Sequence, residues 1–396
     1  MNTNRRNVYI LSLTLVVIML GFGMVMPIMP FYIENLGAGG SELGLLIASY
    51  ATMRLIFAPI WGGISDRHGR KPILMIGILG YGIAMILFGL STNLWMLFVS
   101  RILSGILSSA TSPTTMAYIG DSTSEEERGG GMGLLGAAMG VGTILGPALG
   151  GLLGSASLSM PFFIAGGTSF LTLGLVAVFL PESLPPEKRQ PAKEQHKTNP
   201  LRDLWASIFS PIGILLFMAF ISTCGLMIFY GIFGLYAAAK FDFGPKEIGW
   251  IFMVFGLISA ITQGLLVGPL TKRWGESPLI KISLLATAVA FMLISLADSV
   301  VTVMLTIGFF TLTTALLSPA VTSLTSKRAT MDQGITMGLS NVFISLGRIA
   351  GPLLAGVLFD WQIEYPYYSG AVIMVLGFVV SLIWISTSRP KTLATQ

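Results

Sequence analysis

Charge is what this sequence has least of. Only 10% of its 396 residues are Asp, Glu, Lys or Arg, while 53% are apolar; soluble domains carry about 25% charged residues. So few charges cannot cover that much apolar surface in water, which excludes disordered, fibrous and ordinary cytosolic classes. Cysteine is nearly absent as well. The single Cys224 excludes a disulfide framework, a multi-cysteine zinc site and an iron–sulfur cluster. Histidine is scarce, and His68 and His196 both lie in polar stretches, so no histidine-based catalytic or metal centre is expected inside a membrane. There is no GxxxxGK[ST] loop, which removes direct ATP drive within the chain. No cofactor and no metal is expected, and nothing supports an enzyme. An all-α integral membrane protein in a lipid bilayer is what remains. The net charge of +5 then concerns which loops carry it, and no nucleic-acid partner is expected.

A helix needs roughly 20 apolar residues to cross about 30 Å of hydrocarbon. Twelve such stretches occur, at 8–30, 43–65, 72–91, 94–119, 130–153, 160–180, 211–236, 247–270, 278–297, 300–325, 334–358 and 365–386. The first follows Arg5 and Arg6 but is too long for a secretory signal and lacks a small-residue cleavage site, so it reads as an uncleaved helix. Of 23 Lys and Arg, 18 fall at the termini and in the even-numbered loops, and only Lys240 and Lys246 lie opposite. That bias predicts a multi-pass protein with both termini in the cytoplasm. Residues 181–210, with Pro181, Pro185 and Pro186 followed by alternating charges, form the only long polar segment. They read as a cytoplasmic linker between an N-terminal six-helix half, 1–180, and a C-terminal half, 211–396.

The chain also repeats itself. Gly62-Gly-Ile-Ser-Asp-Arg-His-Gly-Arg-Lys-Pro72 aligns with Gly268-Pro-Leu-Thr-Lys-Arg-Trp-Gly-Glu-Ser-Pro278 at an offset of 206 residues. Ser112-Pro113 matches Ser318-Pro319 at the same offset, and Gly146-Pro147 matches Gly351-Pro352 at 205. Three motifs within one residue of the same offset indicate a parallel repeat of six helices, the arrangement of secondary transporters whose binding site lies between the halves near mid-membrane.

Gly62, Gly63, Asp66, Arg67, Gly69, Arg70 and Lys71 are expected in a short loop between the second and third spans, where glycine permits a turn and mixed charge can latch helix ends. The segment resembles the GxxxDRxGRK signature of the major facilitator superfamily. Leu20-Gly-Phe-Gly-Met-Val-Met-Pro-Ile-Met-Pro30 resembles its first-helix motif, and Arg101 with Gly105 its fourth-helix RxxxG pattern. Gly140 to Gly151, ending Gly146-Pro147-Ala-Leu-Gly150-Gly151, is similar to the fifth-helix signature of exporters. Together these resemble the twelve-helix drug:proton antiporters, the bacterial multidrug and tetracycline exporters. The resemblance implies that Asp66 holds an inner gate against a helix end of the C-terminal half, and that Arg70 pairs with Asp121 at the end of the fourth helix. It implies a proton-coupled monomer acting on small amphiphilic compounds from the bacterial cytoplasmic membrane. The glycine run of the fifth span, with Gly136, Gly140, Gly142, Gly146, Gly150, Gly151 and Gly154, puts small residues on one face at four-residue spacing and reads either as a hinge-like contact between the halves that alternates during transport or as ordinary close packing. Pro147 and Pro352 are expected to bend their helices at matching depth.

The charges within spans complete the expectations. Arg54 lies mid-membrane, where an arginine costs about 2.5 to 3.5 kcal/mol, so it should face a watery cavity; Arg348 is similarly deep. Arg101 is nearer the end of its span and could partly snorkel. None of the 18 Asp and Glu lies in the middle of a span. Many relatives of this type carry acids in the seventh and tenth spans, where this chain has Tyr230 and Ala315 to Ser318. The coupling candidates are therefore Asp66, Asp121, Glu34 and Arg101. Buried arginines without acids predict a cavity of positive potential, suited to neutral, zwitterionic or anionic amphiphiles. Its expected lining includes Tyr32, Tyr50, Arg54, Tyr118, Tyr230, Phe255, Asn341 and Arg348. The leading expectation is multidrug export by proton antiport. The alternative is a facilitator or proton-coupled transporter of a specific metabolite such as a sugar or organic anion.

Overall fold

The computed structural model describes residues 3–189, 212–329 and 332–385. Most of the expected linker lies outside the described residues, as do Lys193, Lys197, Arg202, Arg389 and Lys391. Among the described residues every regular element is helical. Twelve helices are long and apolar enough to cross a membrane: Arg6–Val25, Gly40–His68, Arg70–Gly89, Leu94–Ser122, Gly129–Ala156, Met160–Phe179, Gly213–Phe241, Pro245–Trp274, Glu276–Leu296, Val300–Lys327, Gln333–Trp361 and Tyr365–Trp384. These are the first to twelfth spans below, and the protein is a multi-pass membrane protein.

Departures from the expected spans have local causes. The first span stops at Val25, because Pro27 offers no N–H and disfavours helix at Met26; Met29–Glu34 form a separate short helix. The fourth span is interrupted between Ser108 and Thr111, just before Pro113. Ala110 donates to Leu107 rather than to Ile106, and the freed Ile106 carbonyl accepts from Trp61 Nε1 at 2.7 Å and from Ser109 Oγ at 2.7 Å. The equivalent Pro319 is carried inside an unbroken helix. The eighth span contains a π-helical turn over Thr262–Leu266, a common way of absorbing an extra residue in a long helix.

The described chain forms two compact units. The first holds spans one to six with Phe243–Met253, the start of the eighth span; the second holds the seventh span, the rest of the eighth, and spans nine to twelve. Within the first unit, the fifth span packs on the first along its glycine stripe. A Cβ on Gly142 would lie 2.5 Å from Met19 Cβ, one on Gly146 2.7 Å from the Leu20 carbonyl oxygen, and one on Gly150 2.4 Å from that of Met24. Of the two readings of the stripe, these three glycines follow close packing inside their own unit, since small faces let helices approach in lipid. Gly151 meets Gly249, again backbone to backbone. The second unit repeats the scheme, with Gly347 and Gly351 of the eleventh span set against Phe220, Cys224 and Met227 of the seventh.

Large apolar side chains face outward along most spans, and the strongly exposed tryptophans, Trp95, Trp361 and Trp384, sit at span ends. That is the belt expected where helices meet the membrane surface.

Candidate functional site

The expected loop between the second and third spans is a single residue. Gly62 to His68 continue the second helix, and only Gly69 is non-helical. A Cβ on Gly62 would meet nothing within 4 Å, so no turn or close approach explains a glycine there. Gly69 is different. Its φ of 103° and ψ of 161° lie in a region that essentially only glycine enters, and a Cβ there would lie 2.5 Å from Glu182 Oε2.

That geometry lets one glutamate cap a helix. Glu182, just past the sixth span, accepts from the backbone N–H groups of Arg70 at 2.8 Å and Lys71 at 3.2 Å. A carboxylate at a helix N-terminus satisfies orphan donors and complements the helix dipole. Lys71 Nζ in turn donates to the Ala177 carbonyl at 2.7 Å, in the last turn of the sixth span. Around this cap Arg70 is mostly buried. Its Nε donates to Asp121 Oδ2 at 2.9 Å, and its Nη1 donates to Ser65 Oγ at 2.7 Å and to Asp66 Oδ1 at 2.5 Å. One guanidinium thus ties together the ends of the second, third and fourth spans, while Arg67 stays exposed. Asp66 is occupied within its own unit by Arg70.

The second unit carries the same device with the charges exchanged. Gly275, 206 residues after Gly69, has φ 81° and ψ 168°. Glu276 follows it, and its Oε1 accepts from Lys327 Nζ and, at 3.0 Å, from Ser323 Oγ. At the repeat offset Asp66, Arg70 and Asp121 correspond to Lys272, Glu276 and Lys327, so all three charges are inverted.

The expected cavity residues separate into two groups. Tyr118 is 1% exposed within an apolar cluster that includes Leu11, Leu74 and Val176, and its hydroxyl donates to the Pro181 carbonyl at 2.7 Å. Tyr32 packs edge-on to Phe88 and Phe162 and donates to the Ser91 carbonyl at 2.9 Å, closing the end of the third span. Both are anchors inside the first unit rather than cavity lining, because their hydroxyls satisfy carbonyls at chain turns. Tyr50, Arg54, Tyr230, Asn341 and Arg348 keep partial or full exposure. Arg54 is 14 residues from either end of the second span and interacts with Tyr50 one turn away. Asn341, Ser345 and Arg348, at i, i+4 and i+7, share one face of the eleventh span near its middle. Phe255 is buried, stacked on Phe229 with ring centres 5.7 Å apart and 4.9 Å from Tyr230.

Arg101 does not snorkel. It is 3% exposed, held between the rings of Tyr50 and Phe88 with its guanidinium carbon 5.4 and 5.6 Å from their centres. Glu34 is exposed at the end of the short helix. Every Asp or Glu within a span lies in its first or last turn.

The model of the Major Facilitator Superfamily matches residues 11–244 and again 215–395. This chain belongs to that superfamily. The superfamily member is 32% identical to multidrug resistance protein 2 and 34% identical to multidrug resistance protein 1 of Bacillus subtilis (strain 168). The alignments cover 96% of this chain and 96% and 97% of those proteins. Among solved structures, a bacterial homologue of the human lysosomal transporter Spinster, inward-facing and occupied, superposes with a TM-score of 0.81 over 96% of each chain. At 13% identity that likeness speaks for the fold alone. As a superfamily member the chain is a transporter and not an enzyme.

For this transporter, sequence reading missed Glu182, Tyr81 and the Glu276–Lys327 pair. Glu276 was within reach, since it falls under Arg70 in the repeat alignment. Glu182 sits 112 residues from Arg70, and only the packing of the sixth span against the third brings them together.

Proposed function

We propose that this transporter exports chemically varied small amphiphilic compounds across a bacterial cytoplasmic membrane, with both termini in the cytoplasm. The observation that carries the reading is the 32% and 34% identity to two multidrug resistance proteins over 96% of the chain. Alternating access by two six-helix halves, 1–180 and 211–396, follows from the parallel repeat. The charged clusters at Arg70 and Glu276 serve as latches that make and break as the halves rock. Exchange against protons supplies the drive, with Asp66, Asp121, Glu34 and Arg101 as the groups available to sense it. The unit of transport is the monomer.

A second reading rests on a specific observation. No acid lies deeper than one turn inside any span, while Arg54 and Arg348 lie near the centres of theirs. That pattern suits a carrier of a metabolite such as a sugar or an organic anion.

Accumulation of cationic, neutral and anionic dyes and antibiotics in cells with and without the protein tests both. Lower accumulation that recovers when the proton gradient is collapsed supports proton-driven export. No effect across the panel overturns it in favour of the metabolite carrier. Arg54→Gln with unchanged transport of every compound would remove the positive cavity from the argument.

A further inference from the structure

Several buried hydroxyls of the first unit lack an acceptor, and two of them accompany a buried arginine. Arg101 and Tyr81 are 3% exposed and Ser104 is 1% exposed. Arg101 Nε, the Tyr81 hydroxyl and the Ser104 hydroxyl have no hydrogen-bond partner among the described residues.

The three belong to one place. Ser104 lies three residues beyond Arg101 on the same face of the fourth span. Tyr81, from the third span, lies within electrostatic range of Arg101 with its hydroxyl against Gly21 of the first span, and the ring of Tyr50, from the second, lies 5.4 Å from the guanidinium carbon. Gly105 allows this convergence, because a Cβ there would lie 2.8 Å from the Tyr50 carbonyl oxygen and 2.7 Å from Met53 Cβ. The acceptor that Arg101 does reach is Met29 Sδ, 2.9 Å from Nη2, and a thioether accepts only weakly.

A buried guanidinium without a counter-charge is costly, and the faces of Tyr50 and Phe88 offset only part of that cost. No carboxylate is available, since the acids of these spans are confined to the terminal turns. A cluster that offers donors and holds one uncompensated positive charge is completed by an acceptor that brings negative charge with it.

We propose that Arg101, Tyr81 and Ser104 form a binding site for one singly charged anionic group, supplied either by a halide from solution or by the carboxylate of an amphiphilic substrate. The proposal does not rest on the direction of transport, although Arg101 is also one of the groups available to sense protons.

The test uses the purified full-length protein in detergent. Its thermal midpoint is followed as sodium bromide replaces sodium gluconate at constant ionic strength, and separately as sodium 1-naphthoate is added. The midpoint rises saturably with at least one of the two. The apparent affinity falls about tenfold or more in Arg101→Gln, as expected for loss of a charge-assisted hydrogen bond. It falls to a lesser degree in Ser104→Ala and Tyr81→Phe and is unchanged in Lys246→Gln, whose lysine is exposed elsewhere. A response to bromide alone identifies a halide site; a response to naphthoate, or competition between the two, identifies the substrate carboxylate. If Arg101→Gln does not fold, Ser104→Ala carries the comparison. No saturable response to either probe, or a response retained in both Arg101→Gln and Ser104→Ala, overturns the proposal and leaves water as the occupant. Because binding is read without transport, failure here leaves the export reading untouched.

Discussion

Arg70 and Glu276 are equivalent residues of opposite charge. Each directly follows a glycine of positive φ, each opens a span, and each pairs with a residue 51 positions later at the end of the following span, Asp121 in one case and Lys327 in the other. The repeat has kept the position of the ion pair and reversed its polarity. Their surroundings differ too. Arg70 is mostly buried with two carboxylates, whereas the Lys327 side chain is 63% exposed against a Glu276 that is 10% exposed.

The two pairs should therefore respond unequally to mutation. Arg70→Ala removes the bonds to Ser65, Asp66 and Asp121 at once and leaves the two acids as neighbouring like charges, a loss of about 3 kcal/mol. Lys327→Ala removes one ion pair with a largely exposed lysine, and the buried Glu276 keeps Ser323 Oγ and its place at a helix N-terminus, so the loss is about 1 kcal/mol. Thermal unfolding of the purified variants measures this directly. Equal losses would mean that the number of partners lost does not govern these latches.

Gly69 and Gly275 offer a matched comparison. Both occupy backbone conformations reserved for glycine, so alanine costs roughly 1 to 3 kcal/mol at either. Gly69 also makes room for Glu182, while Gly275 has only Pro278 Cδ nearby, at 4.0 Å. Gly69→Ala should thus lower the melting temperature more than Gly275→Ala, and Glu182→Ala should close part of that gap by removing the clash. A larger effect at Gly275 would contradict the packing argument.

The glycine stripes predict a sharp contrast within one helix. Valine at Gly146 or Gly351 would force a side chain into a partner backbone at 2.7 or 2.6 Å, and overpacking of this kind separates the helices. Both variants should lose most folded protein, read by size-exclusion chromatography after extraction. Gly136→Ala meets nothing within 4 Å and should extract like the parent.

What could be read in advance followed the physics of the signal. Twelve spans were legible because hydrocarbon thickness sets a length that composition reports, and Gly146-Pro147 against Gly351-Pro352 exposed the repeat. The break at Pro27 was visible in principle, yet apolar residues on both sides hid it from a hydropathy count. Individual roles were harder. Tyr118 and Tyr230 look alike in sequence, each an aromatic in an apolar helix, and only tertiary packing separates a side chain closed in on all sides from one that keeps partial exposure. The Arg101 site was half legible, since its arginine stood out but Tyr81 and Ser104 did not.

That distinction between tyrosines gives the last prediction. The Tyr118 hydroxyl joins the fourth span to the Pro181 carbonyl at 2.7 Å from within a closed apolar cluster, so Tyr118→Phe should cost about 1 kcal/mol, the net value of one buried hydrogen bond. It should lower the melting temperature and leave the relative resistance to different compounds unchanged. Tyr230 is only partly buried and stands edge-on to Phe255. Tyr230→Ala removes a wall of an aromatic group without opening a closed core, so the ranking of transported compounds should change by severalfold while the protein stays folded. Drug-susceptibility profiles of the two variants, set beside their melting curves, separate the roles. A shifted profile with Tyr118→Phe, or an unshifted one with Tyr230→Ala, would reverse the assignment of anchor and lining, because a residue buried on all sides reaches substrate only if that core opens during transport.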